Sequence, residues 1–146
     1  MKNSESRLAK KLLDCQVAID YQPLRDEPKP IFVLPPVRFT ISPDTSADPV
    51  DTAKQVSTMF PDSSVCVYVP GTAFDSHGTR HGRGGGWYDR FLASVPSHWL
   101  RVGLCFEDSF SHDSIKREPW DQSMDWVCVT DGDEVSWYET NARNLS

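Results

Sequence analysis

From Tyr68 to Leu92 the chain passes through the end of a strand, a turn, a glycine loop and a helix, and this order restricts the fold more than any other feature. Residues 65–69, Val-Cys-Val-Tyr-Val, are a compact apolar, β-branched run between Ser64 and Pro70, which predicts a buried strand. A glycine-rich stretch follows, and then a helix predicted from about Gly86 to Ser94 and ended by Pro96. Residues 101–106 and 126–130 read as further strands. Strands alternating with helices make parallel βα units, so the expected fold is α/β, a three-layer sandwich around a mostly parallel sheet.

The first half of the chain is less regular. Residues 4–18 predict an amphipathic helix, with Leu8, Leu12, Cys15 and Ile19 along one stripe and Arg7 and Lys11 adjacent on another face. Pro23, Pro28 and Pro30 break the chain before a short apolar run at residues 31–34, read as a strand. Residues 42–49 read as a loop. Asp48-Pro49 then predicts a helix start, with Asp48 as cap and Pro49 at the first helical position, running to about Phe60.

The chain has 146 residues, which suits one domain covering residues 1–146. Its formal net charge of −6 makes it a poor general ligand for nucleic acid, whose binding depends on neutralised phosphates. No apolar run approaches the roughly 20 residues of a membrane span, and the N-terminus lacks the apolar stretch of a signal peptide. Cys15, Cys66, Cys105 and Cys128 form no C-x-x-C pair, and the last three lie in strand-like runs. Buried, reduced thiols and a cytoplasmic, reducing compartment are therefore expected, with a disulfide or metal role as the lesser reading.

The chemistry concentrates in Gly82-Arg83-Gly84-Gly85-Gly86-Trp87-Tyr88-Asp89. Glycines let the backbone approach a ligand and take positive φ, and a helix start presents unpaired N–H groups to phosphate. Arg83 adds a forked, charge-assisted donor, with Arg80 and His81 just before it. No Gly-Lys-Ser/Thr follows, so the loop is not a Walker A, and its glycines are too crowded for the dinucleotide fingerprint. On these grounds alone a flexible turn explains the cluster as well as a phosphate site does. Asp89 suits the helix dipole or a Mg2+ ion, and Asp121 and Asp125 are candidates for a second carboxylate. His77, His81 and His112 lack ligand spacing and read as surface or hydrogen-bonding residues. Residues 131–134 read as a solvated acidic turn. The Asn144-Leu145-Ser146 glycosylation pattern reads as incidental.

Val69-Pro70-Gly71-Thr72-Ala73-Phe74-Asp75, Gly78-Thr79-Arg80 and the run from Gly82 to Leu92 together resemble the signature of the 5-formyltetrahydrofolate cyclo-ligases, or methenyltetrahydrofolate synthetases. Val102-Gly103-Leu104-Cys105-Phe106, Trp120-Asp121 and Met124-Asp125-Trp126-Val127-Cys128-Val129-Thr130 agree with that family in order and spacing, so the likeness covers about the C-terminal half. The resemblance implies a single-domain, NagB/RpiA/CoA transferase-like sandwich. It also implies an enzyme that uses Mg-ATP to phosphorylate the formyl oxygen of 5-formyltetrahydrofolate, after which a neighbouring nitrogen closes on the activated carbon and phosphate leaves. By the same resemblance Gly82, Gly84, Gly85 and Gly86 cradle phosphates, and Arg83 neutralises the transferring group. Trp87 and Tyr88 stand where the family has two site-lining tyrosines, and Asp89 and Asp121 match its metal carboxylates. The family is longer at the N-terminus and begins with a basic helix whose lysine and arginine, four residues apart, reach the nucleotide; Arg7 and Lys11 have that spacing in reversed order, and the resemblance extends the nucleotide contact to them, with a solvated helix face as the alternative. The family's glycine-isoleucine-x-glutamate-proline stretch and a partner for its folate-binding glutamate are not found, and Leu34-Pro35-Pro36-Val37-Arg38-Phe39 is a loose match to the middle region. The expected partners are ATP and a reduced folate, with a monomer or a homo-oligomer as the working unit. The alternative is a relative that keeps only phosphate or nucleotide binding.

Overall fold

The computed structural model describes residues 6–30, 38–43 and 47–143. The strand expected at residues 31–34 and the glycosylation pattern at 144–146 lie outside them, as does most of the 34–39 segment. Thirteen elements follow one another: α1 (Arg7–Asp14), β1 (Val17–Tyr21), β2 (Arg38–Ile41), α2 (Pro49–Met59), β3 (Val65–Pro70), β4 (Ala73–Asp75), β5 (Arg80–His81), α3 (Trp87–Ser94), β6 (Leu100–Phe106), a 3-10 turn (Glu107–Ser109), β7 (Phe110–Ser111), β8 (Trp126–Thr130) and β9 (Val135–Glu139). Six strands form the main sheet in the order β2-β1-β3-β6-β8-β9, and β5-β4-β7 form a small second one. The main sheet is parallel throughout except for its edge, where β9 runs antiparallel to β8.

The strand residues alternate between two cores, as the two-residue period of a sheet requires. Val17, Ile19, Val65, Val67, Val69, Cys105, Val127 and Val129 face α2 and α3, packing with Val56, Phe91 and Leu92. Ala18, Cys66, Tyr68, Leu100, Val102, Leu104 and Cys128 face the other way, onto Leu8 and Leu12 of α1. The architecture is therefore the expected three-layer sandwich with helices on both sides. Asp48 caps α2, accepting hydrogen bonds from the amides of Val50 at 2.8 Å and Asp51 at 3.0 Å, with Pro49 in the first turn.

The N-terminal helix is shorter than its periodicity predicts. It stops at Asp14, and Val17–Tyr21 becomes a strand between β2 and β3. Ile19 consequently lies in the core opposite to that of Leu8, Leu12 and Cys15. Ladder pairing and burial on both faces outweigh helical spacing in this β-branched and aromatic stretch. The short strands β2, β4, β5 and β7 and the edge strand β9 were not anticipated either.

The small sheet positions the candidate site. β4 begins three residues after β3 ends, and β7 follows β6 through the 3-10 turn, so both lie at the carboxyl ends of the parallel strands. Phe74 of β4 is fully buried and presses onto β6 at Gly103, where an added Cβ would lie 2.3 Å from a ring carbon. Only glycine accommodates that approach. No helix among the described residues is long and apolar enough to cross a membrane.

Candidate functional site

The glycine loop leaves β5 at the carboxyl end of β3 and leads directly into α3. Gly84, Gly85 and Gly86 have φ of +89°, +76° and +67°, the left-handed region that other residues enter at a cost. An added Cβ at any of the three would meet nothing within 4 Å, so conformation, not crowding, calls for glycine. Gly86 is the N-cap of α3 and, lacking a side chain, caps no amide. The first amides of α3 therefore open towards the loop, an arrangement suited to an anion.

Arg80 underlies this loop. Its Nε donates to the Pro70 carbonyl at 2.6 Å, and its guanidinium lies 4.9 Å from the centre of the Tyr88 ring. Burial lowers its pKa, opposed by the Tyr88, Asp89, Glu27 and Asp121 charges around it. Tyr88 is buried, and its hydroxyl has no hydrogen-bond partner among the described residues. Burial drives the phenol pKa up, so the group stays a neutral donor. Trp87 is otherwise engaged: its Nε1 donates to the Ala47 carbonyl at 2.9 Å, and its ring stacks on Phe91 at 5.3 Å.

Arg83 is exposed but not free. Nη2 donates to Asp26 at 2.7 Å and Nε to Glu27 at 3.2 Å. Glu27 is a buried carboxylate that also accepts the Leu24 amide at 2.8 Å. Asp20, on β1, is buried too and accepts from the Thr40 hydroxyl. Reading the sequence passed over both carboxylates. The one local signal was an Asp inside the apolar run of β1, while Glu27 stands in a proline-rich loop of no clear period.

The two expected metal carboxylates lie on adjoining segments. Asp89 accepts the Gln122 amide at 3.0 Å, next to Asp121, which accepts the Glu118 amide at 2.9 Å. Among the described residues no three His, Cys, Asp or Glu side chains cluster to hold a metal, so any Mg2+ here would rely on these two and on ligand oxygens. Asp125 is excluded from such a role. It is fully buried, its Oδ2 accepting from Arg143 at 2.8 Å and from the Arg101 amide at 3.0 Å, and its Oδ1 from Arg143 Nε at 2.9 Å. Nor does the structure bring Arg7 and Lys11 to the loop. They belong to α1, on the sheet face opposite α3. Ser6, at the head of α1, donates to Glu139, whose partner Trp126 begins β8 at the far end of the strands from the loop. Of the histidines, His81 bonds the Lys116 carbonyl and His112 packs against Phe110.

Residues 44–130 match the model of the 5-formyltetrahydrofolate cyclo-ligase family. The chain belongs to that family. Two curated relatives, both named 5-formyltetrahydrofolate cyclo-ligase, agree with it: one from Mycoplasma genitalium, 30% identical over 67 residues, or 46% of this chain and 39% of the relative. The other, from Mycoplasma pneumoniae, is 27% identical over 74 residues, or 51% of this chain and 44% of the relative. The matched region thus spans well under half the length of these curated cyclo-ligases. A solved 5,10-methenyltetrahydrofolate synthetase from Mycoplasma pneumoniae superposes with a TM-score of 0.53 at 17% identity, covering 77% of this chain and 72% of that one. One from Aquifex aeolicus gives 0.55 at 21% identity, covering 96% and 85%. At these identities the two structures establish the shared cyclo-ligase fold.

Proposed function

We propose that this chain catalyses the ATP-dependent conversion of 5-formyltetrahydrofolate to 5,10-methenyltetrahydrofolate, with release of ADP and phosphate. One arrangement carries the reading: three left-handed glycines opening onto the uncapped start of α3, beside Asp89 and Asp121, with the buried Tyr88 hydroxyl unpartnered among the described residues. An orphaned buried donor and a ring of open amides fit an anionic group, and the two nearby carboxylates fit its Mg2+. When bound, Mg-ATP supplies the phosphoryl group that makes the formyl oxygen a leaving group.

The protein contributes position and charge. The amides of the glycine loop and of the first turn of α3 would donate to phosphate oxygens, with the Tyr88 hydroxyl as a further donor. Arg83 turns its guanidinium from Asp26 towards the transferring phosphate, while Glu27 keeps hold of Nε. Asp89 and Asp121 would hold the Mg2+ ion, which would supply charge neutralisation to the transferring phosphoryl group. The buried carboxylates of Glu27 and Asp20 offer acceptors for the N–H groups of a reduced pterin. Buried free thiols at all four cysteines support a reducing, cytoplasmic setting.

The test is a spectrophotometric assay for 5,10-methenyltetrahydrofolate with and without Mg-ATP, comparing wild type with Arg83→Ala. ATP-dependent product that falls about a hundredfold or more in the variant is the expected result, in line with loss of one charge-stabilising donor. Folded wild-type protein that forms no product at high concentration overturns the catalytic reading.

A further inference from the structure

Trp120 is the most exposed large aromatic among the described residues, at 64%. Isolated exposed apolar groups are ordinary on a protein surface, but an indole in water leaves a large flat apolar face unused. Its backbone is far from loose. The Asp121 amide donates to the Glu118 carbonyl at 3.1 Å and the Asp121 carboxylate accepts the Glu118 amide at 2.9 Å, closing a tight turn around Pro119 and Trp120. Arg117 ties that turn to Ser123 and to the Asp121 carbonyl, His81 bonds Lys116, and the Ile115 amide donates to Asp75 at 3.0 Å. The next amide, that of Gln122, donates to Asp89 in the first turn of α3. The indole is thus presented from a laced turn, two residues from a direct bond to the helix that begins at the glycine loop; two residues span at most about 7 Å. On the other segment tied to the loop, the Leu24 amide donates to Glu27, which in turn accepts from Arg83.

We infer that Trp120 is a stacking platform for the planar heteroaromatic ring of the ligand whose phosphates occupy the glycine loop, or of the substrate that meets them there. This rests on the phosphate-site reading given above and adds a specificity-determining contact to it. Stacking on an aromatic face tolerates either an adenine or a pterin ring, and the two are separable by experiment.

The experiment is calorimetric titration of the full chain with ATP in Mg2+, and separately with 5-formyltetrahydrofolate, for wild type, Trp120→Ala and Trp120→Phe. Far-ultraviolet circular dichroism checks that each variant is folded. Loss of one stacked ring weakens binding about tenfold. A loss of that size in Trp120→Ala, largely restored in Trp120→Phe, is expected; confined to ATP it assigns the adenine, and confined to the folate it assigns the pterin. Wild-type binding with unchanged affinity for both ligands in Trp120→Ala overturns the inference and leaves the loop reading standing. Wild type that binds neither ligand overturns both.

Discussion

Arg83 and Tyr88 come from the same short stretch and stand in opposite circumstances. Arg83 is exposed and doubly paired, which raises its pKa, whereas Tyr88 is buried and its hydroxyl is unpartnered among the described residues. The two acids on Arg83 are not equivalent. The Asp26 side chain is 67% exposed and that of Glu27 6%, so solvent screens the first pair more than the second. Asp26→Asn should change stability by less than about 1 kcal/mol in urea titrations. Glu27→Gln weakens the buried contacts to Leu24 and Arg83 and should cost about 1–3 kcal/mol, with a raised KM for the folate if Glu27 faces the pterin. The buried thiols make a prediction about pH. Burial pushes Cys105 and Cys128 from 9.0 up to about 12. Below pH 9 they are protonated whether the chain is folded or not, and stability is indifferent to them. Above it the unfolded chain loses their protons first, so stability should fall between pH 9 and 12, by up to about 1.4 kcal/mol per pH unit for each thiol. Urea midpoints measured across that range check the sign.

Single elements separate two uses of glycine that look alike in the sequence. Gly85 has φ +76° with nothing near its missing Cβ, so Gly85→Ala should cost only the backbone strain, about 1–2 kcal/mol, while disturbing phosphate binding. Gly103 lies against the buried Phe74 ring, and Gly103→Ala should overpack the core by about 1–3 kcal/mol without touching the loop. Denaturant unfolding together with phosphate or nucleotide titration of both variants distinguishes the two. The elements also show where local pattern sufficed. The cap and proline of α2 and the apolar runs of β3, β6 and β8 announced themselves, because each satisfies its own geometry with adjacent residues. β1 did not, because Val17–Tyr21 continues the apolar spacing of α1 and only pairing with β2 and β3 makes it a strand. β5 and β7 have two residues each, and no periodicity exists at that length.

The whole molecule is closed by a contact between distant parts of the chain. Arg143 clamps Asp125 with two nitrogens and donates to the carbonyls of Ser97 and Trp99, tying the C-terminal segment to the start of β8 and to the turn before β6. Removing one partner leaves the other charge without compensation, and Asp125→Ala should cost about 3–5 kcal/mol in equilibrium unfolding. The family motif from Val69 to Leu92, the positive-φ glycines and the succession β3, α3, β6, β8 were legible in the sequence, because each depends on residues close together along the chain. Its acids were only half legible. Asp89 was read from its place in a helix start, and Asp121 and Asp125 from their place ahead of β8; the structure sets Asp89 and Asp121 on adjoining segments. Asp125, though equally acidic and only four residues beyond Asp121, is committed to Arg143. Glu27, hidden among prolines, proved to hold Arg83 from 56 residues away. Arg7 and Lys11 have a suggestive spacing, yet the packing of α1 keeps them from the loop. Residue type and spacing decide what a segment can do locally. Which carboxylate meets which cation is decided by burial and by contacts across the chain, and those exist only once the sheet has formed.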